Sequence, residues 1–310
     1  MNKNLRKKAL IPALAMALAS IIALSGVTYA WFTTGNSATV GTLDVNVQTA
    51  NGIQISLDAS TWKSNITSTD IINAVNNSQN VNIQFPQSSD GIVPVSTAGY
   101  VENGKMKMFK GELKNGALTS TEEIESTSLE GNFIAFDLYF KASGADQVLT
   151  LKYGATQSYV KCINLADSGK DSTIGTEKAV RVAFLPMGVA QNAAGARALK
   201  DVEGGRASLI WEPNMNERAS GVEAESGRLG YDGLKSAFSS TALEEITSKG
   251  YAEAMPETFD GEKDIVTLKS GINKIRVYIW LEGQDVDCVN DISFADFATN
   301  LYFSVPEVQE

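Results

Sequence analysis

The chain contains no histidine in 310 residues. That absence removes Ser-His-Asp and Cys-His nucleophile arrangements, histidine-based zinc sites and the HExxH protease helix. No GxSxG elbow, phosphate-binding loop or CxxC pair is present either. Ser, Asp and Glu are plentiful, but none falls in a catalytic pattern, so an enzyme is not expected. Cysteine is scarce: only Cys162 and Cys288 occur. An even count permits one disulfide in an exported protein. Bridging the two would close a loop worth about 4–5 kcal/mol in the chain-entropy model; two separate buried thiols are the alternative. Positive charge is also in short supply, with 26 Lys and Arg against 36 Asp and Glu. Such a surface repels phosphate backbones, so no nucleic-acid partner is expected. There is no internal repeat, heptad pattern or low-complexity tract. A hydrophobic content of 43% with 20% charged residues is that of a globular protein.

What is present begins with an export signal. Residues 1–8 carry Lys3, Arg6, Lys7 and Lys8 and no acid. Residues 9–27 are apolar and small, and Thr28-Tyr29-Ala30 closes the segment. Basic head, apolar middle and small-residue exit are the parts of a secretory signal peptide, with Ala30 before the cut. The apolar run is also about long enough to span a bilayer, which leaves an uncleaved anchor as the alternative. In both cases the remainder works outside the cytoplasm, secreted or at the cell surface. Cleavage would leave 22 basic and 36 acidic side chains.

The segment after the cut opens with Trp31, Phe32 and Thr33 and runs into an alternating strand with Leu43, Val45 and Val47 on one face. The Thr28-Tyr29-Ala30 exit, Phe32, Ala38-Thr39 and Gly41-Thr42-Leu43-Asp44 together resemble the TasA/camelysin family of secreted proteins. The resemblance covers about residues 20–47 and is architectural beyond. It implies processing by a type I signal peptidase of the SipW type. It also implies subunits that polymerise head to tail, with copies of themselves or related subunits, into extracellular matrix fibres by donor-strand exchange. Trp31, Phe32, Thr33, Ala38, Val40 and Leu43 are the donor-strand candidates. A split is expected, with residues 31–39 donated and Leu43 to Val47 staying in their own sheet. The alternative is an ordinary first strand. The camelysin branch has been regarded as metalloprotease-like, which a chain without histidine cannot match by the usual routes.

The rest of the chain alternates with period two. Ile134, Phe136, Leu138 and Phe140 share one face, as do Ile275, Val277, Ile279 and Leu281, leaving Arg276, Tyr278, Trp280 and Glu282 to face outward. Residues 180–184 and 301–305 behave alike. Shorter strand candidates lie at 52–57, 81–85, 92–101, 148–153, 158–163, 206–211 and 264–268. Glu102-Asn103-Gly104 and Lys114-Asn115-Gly116 suit hairpin turns. Near twelve strands predict an all-β fold, a jelly-roll-type two-sheet sandwich, over residues 31–310 as one domain. Residues 68–75 predict a short capped helix. Residues 187–262 read as an insertion with short helices, one of them opened by the capping-box pattern at Thr241 to Glu244.

Two further constellations stand out. Asp285, Asp287 and Asp291, with Asn290, offer oxygens suited to calcium, though EF-hand spacing is absent. A solvated acidic loop is the alternative, and no other cofactor is expected. Trp62, Trp211, Trp280 and Tyr278 are candidates for sugar stacking, which supports a second reading as a cell-wall or carbohydrate-binding adhesin.

Overall fold

The structure is a computed structural model. It describes residues 37–49, 53–77, 80–87, 91–97, 99–114, 117–163, 176–207, 209–215, 217, 258–283, 285, 287–288 and 295–305. Trp31, Phe32, Thr33, Asn290, Asp291, the signal segment and the helix expected near Thr241 lie outside the described residues. The fold is an all-β sandwich, built mainly of antiparallel strands.

Sheet A has six strands. Its centre is β1 (Ala38–Thr49) lying parallel to β17 (Ala295–Val305), from Ala38 opposite Ala295 to Thr49 opposite Val305. β3 (Asn65–Ile66) pairs with the far side of β1. β10 (Gln147–Leu151) and β11 (Tyr159–Ile163) follow one another along the other side of β17, and β15 (Lys263–Leu268) pairs with β10. Asparagines cross this sheet in a row. Asn65 donates to Asn46, Asn46 donates to Asn300 at 2.9 Å, and Asn300 donates to the Gln157 carbonyl. A slip of one residue would break that row and turn the apolar faces over.

Sheet B has seven strands. Its centre is β16 (Gly271–Leu281), flanked antiparallel by β9 (Ile134–Ala142) and β12 (Val180–Ala190). β2 (Gln54–Ser56) and β4 (Ile83–Gln84) extend it beyond β9, and β13 (Ile210–Trp211) and β14 (Thr258–Phe259) extend it beyond β12. β12 therefore continues four residues into the expected insertion, and β13 and β14 return the chain to sheet B from within it.

The inner faces of the two sheets meet in one apolar core. Phe303 of sheet A stands edge-on to Phe140 and Phe184 of sheet B, with ring centroids 5.4 and 5.8 Å away. The helix α1 (Ser68–Asn76) follows the predicted segment, with its cap one residue earlier. The Thr67 hydroxyl accepts from Asp70 N–H, and the Asp70 carboxylate accepts from Thr67 N–H. Ile71 and Ala74 bury its inner face.

The outer face of sheet B departs from the sequence expectation. An antiparallel sheet commonly leaves one face to water, yet Arg276, Tyr278, Trp280 and Glu282 are all at most 1% exposed. A third layer covers them. It consists of the segment around Val95, the hairpin β5 (Val101–Glu102) and β6 (Lys105–Met106), and the base of the hairpin β7 (Met108–Lys114) and β8 (Ala117–Glu123). The first hairpin turns through Asn103 and Gly104, both at positive φ, as a two-residue primed turn requires. In the second, Lys114 pairs with Ala117 on either side of the predicted Asn-Gly turn. Val95, Met106, Met108 and Phe133 pack on Ala135, Ala183, Leu185, Tyr278 and Trp280 to make a second core.

Candidate functional site

Three places hold the residues singled out above. The first is the start of β1. Ala38 and Leu43 are fully buried and Val40 is 7% exposed, all within the chain's own main core. The expected split therefore falls elsewhere: Ala38, Thr39 and Val40 pair with Ala295, Asp296 and Phe297 of the same chain. The register then shifts between Val40 and Leu43. Gly41 sits in that bulge under Ile163, where a Cβ would lie 2.4 Å from the Ile163 Cδ1. The outer edge of β1 is closed in patches. Ala38 exchanges two backbone hydrogen bonds with Ile92, Leu43 is held by the Ser68 hydroxyl, and β3 covers Val45 and Asn46. Between these patches, residues 39–42 have no strand partner on that edge among the described residues.

The second place is the polar layer beneath the cover. Arg276 Nη1 donates to Asp137 at 2.6 Å and to the Asn82 carbonyl at 3.2 Å, Nη2 donates to Glu125, and Nε donates to the Tyr278 hydroxyl at 3.0 Å. Tyr278 donates in turn to Glu125 at 2.6 Å and accepts from the Met106 N–H at 2.8 Å. Lys274 reaches Asp137 at 2.9 Å and donates to the Leu199 carbonyl. Every charge here is paired and hydrogen-bonded, the condition under which buried charges are tolerated. Glu125 belongs to the cover and Arg276 to the sheet, so the network fastens one to the other. The lone alternation of charged with apolar residues on β9 and β16 did not reveal this, because nothing local marks the charged face as covered.

The third place is the acidic loop. Asp285 and Asp287 are 3% and 1% exposed rather than solvated. Asp285 is ion-paired with the fully buried Arg181, which also reaches Glu212 at 3.0 Å. Asp285 also accepts from the Asp287 N–H at 2.7 Å. A guanidinium thus pairs with Asp285, while Asn290 and Asp291 of the candidate calcium set lie outside the described residues. Trp280 Nε1 donates to Glu282 at 3.0 Å. Both cysteines are free thiols, the second of the two alternatives the sequence left open. Cys162 donates to Glu177 at 2.6 Å on the edge strand β11, while Cys288 is buried in the main core.

The aromatic platform is likewise corrected. Trp211, Trp280 and Tyr278 are fully buried and present no face to a sugar. Trp62 is half-buried, with Lys141 Nζ 5.8 Å from its ring.

No known protein-family model matches the chain, and no curated protein is similar to it in sequence.

Two outcomes follow from the buried groups. Arg276→Met leaves Asp137 and Glu125 in a dry layer without their guanidinium, and should cost about 3–5 kcal/mol in urea unfolding. A loss below about 1 kcal/mol would show that water reaches this network. The second outcome concerns alkali. Burial, followed by the charges of Asp285 and Glu282, pushes the Cys288 thiol well up. Burial likewise raises the Tyr139 and Tyr278 phenols, with Asp137 and Glu125 adding to it. The folded chain keeps these protons where the unfolded chain releases them, near pH 8.5 for a thiol and about pH 10 for a phenol. Their stabilisation is complete below those values and is lost as pH rises, by up to about 1.4 kcal/mol per group per pH unit. The urea midpoint should fall steadily from about pH 8 to about pH 11, and a flat profile would contradict the burial.

Proposed function

We propose that this protein is an exported structural subunit of an extracellular filament, joined head to tail by its N-terminal segment, and not an enzyme. The observation that carries the reading is the edge of β1. Unpaired backbone on a strand edge is a template for another strand. In this fold, residues 39–42 lie between two short patches of pairing, directly after the aromatic segment that cleavage at Ala30 would free. Backbone hydrogen bonds would supply affinity, and alternate side chains the register. A contact between an N-terminal segment and an edge elsewhere on the next copy does not close on itself, so it propagates. The resemblance of residues 20–47 to TasA-like subunits points the same way.

The pairing of Ala38 to Val40 within their own chain shortens the donor. Residues 31–36 are the segment proposed to cross to the next copy, with Trp31 and Phe32 as its anchors. Ala38 to Val40 and, beyond the bulge at Gly41, Leu43 to Thr49 then hold β1 in its own sheet. The charge excess of the mature chain suits assembly at reduced pH, where protonation lowers repulsion between copies.

The test compares residues 31–310 with residues 37–310 by negative-stain electron microscopy and circular dichroism. Regular filaments from the longer chain and folded monomers from the shorter one are expected. Filaments from the chain that starts at Ser37 would overturn the donor assignment.

A further inference from the structure

A cavity of about 340 Å³ opens at the end of sheet B. Its walls are the short helix α2 (Ala193–Ala198) with the residues after it, the Asn103–Gly104 turn, and the chain around Asn82. We propose that this cavity binds a small ligand carrying an oxyanion on a hydroxylated ring, a carboxylate- or phosphate-bearing sugar. The inference is independent of filament assembly.

Charge is the first argument. The lining holds Lys105, Arg197, Lys200 and Lys274 against the single acid Asp137. Asp137 is already ion-paired with both Arg276 and Lys274, so it presents no free negative charge to the opening. Lys200 is exposed, and its ammonium makes no ion pair among the described residues. Lys274 is the partner of Asp137, and Lys105 lies 3.6 Å from Glu125, which leaves Arg197 and Lys200 as the lining cations without an ion pair among the described residues. In a chain of net charge −10, these two cations make the opening locally positive and draw anions to it.

Positioning is the second argument. These cations are held by the protein and not by one another. Lys105 donates to the Glu125 carbonyl at 2.9 Å, Arg197 donates to the Asp58 carbonyl at 2.8 Å, and Lys274 donates to the Leu199 carbonyl at 2.9 Å. A Cβ on Gly104 would lie 3.1 Å from the Lys200 Cα, so the hairpin turn and the Lys200 backbone already touch. The site is formed before any ligand arrives, which lowers the ordering cost of binding.

The lining also selects the ligand's body. Asn80, Asn82 and Asn103 supply amide donors and acceptors that suit hydroxyl groups. The one aromatic ring, Tyr139, is 1% exposed and offers no stacking face to a nucleobase. The volume lies at the low end for ligand sites, which favours one ring over a polymer segment.

Calorimetric titration of residues 31–310 with glucuronate, glucose 6-phosphate and glucose tests this. At least one of the two anions should bind with Kd on the order of 1 mM or tighter, and the stronger of the two identifies the oxyanion. Glucose should give no heat. Lys200→Glu should weaken the anion about fivefold or more, with unchanged thermal unfolding. Lys161→Glu, on sheet A, should leave it unaltered. No heat from either anion, equal binding of glucose, or equal weakening by both variants would overturn the proposal.

Discussion

Arg276 has no route to water. Its guanidinium lies between sheet B and the cover, 1% exposed, and must meet its charge and its hydrogen bonds there. Asp137 comes from the neighbouring strand and Glu125 from the cover, and Tyr278 joins them. A cover that slid or lifted would strand at least one carboxylate in a dry layer, a penalty of several kcal/mol. The network therefore fixes where the cover sits. The apolar contacts of Met106, Met108 and Phe133 alone would tolerate a looser docking. Because the cover is fixed, β9, β12 and β16 are buried on both faces and form the interior of the molecule instead of one wall of a two-layer sandwich.

Sheet A is arranged to different ends. Its inner face completes the main core through Leu43, Val45, Leu301 and Phe303. Its outer face carries the asparagine row that holds β3, β1 and β17 in register. The first strand lies at the meeting of a strong pairing, with β17, and an edge closed only in patches. That asymmetry is compatible with the proposed exchange, in which β1 stays in its own sheet and the residues before it would cross to another copy. The cavity at the end of sheet B is lined by residues outside this edge, so the proposed assembly and the proposed ligand binding are tested separately.

The strands of sheet B were legible from period-two alternation, because Ile134 to Phe140 and Ile275 to Leu281 place an uninterrupted apolar face on the core. The capped helix at Ser68 and the Asn103–Gly104 turn were legible from side-chain chemistry that acts within four residues. The third layer was not. Alternation reports which residues share a face, and it does not report whether the polar face is wet. Arg276 and Arg181 read as outward charges, and their burial depends on segments more than one hundred residues distant in Glu125 and Asp285. The acidic loop was misread as solvated for the same reason: Asp285 is buried against a distant arginine. Trp211 and Trp280 looked like exposed platforms because an indole suits a rim and a core equally well. At the first strand, the pattern located the strand but not the length of chain held at home, which the pairing of Ala38 to Val40 with β17 decides.

The buried network requires that sheet B and the cover closing it unfold as one cooperative unit. Amide hydrogen exchange followed by mass spectrometry tests it directly. Peptides from β16 and from the cover around Val95 and Met106 should exchange together, at the rate set by global unfolding. Fast exchange in the cover with continued protection of β9, β12 and β16 would show a layer that opens by itself, and would contradict the role assigned to Arg276 and Glu125.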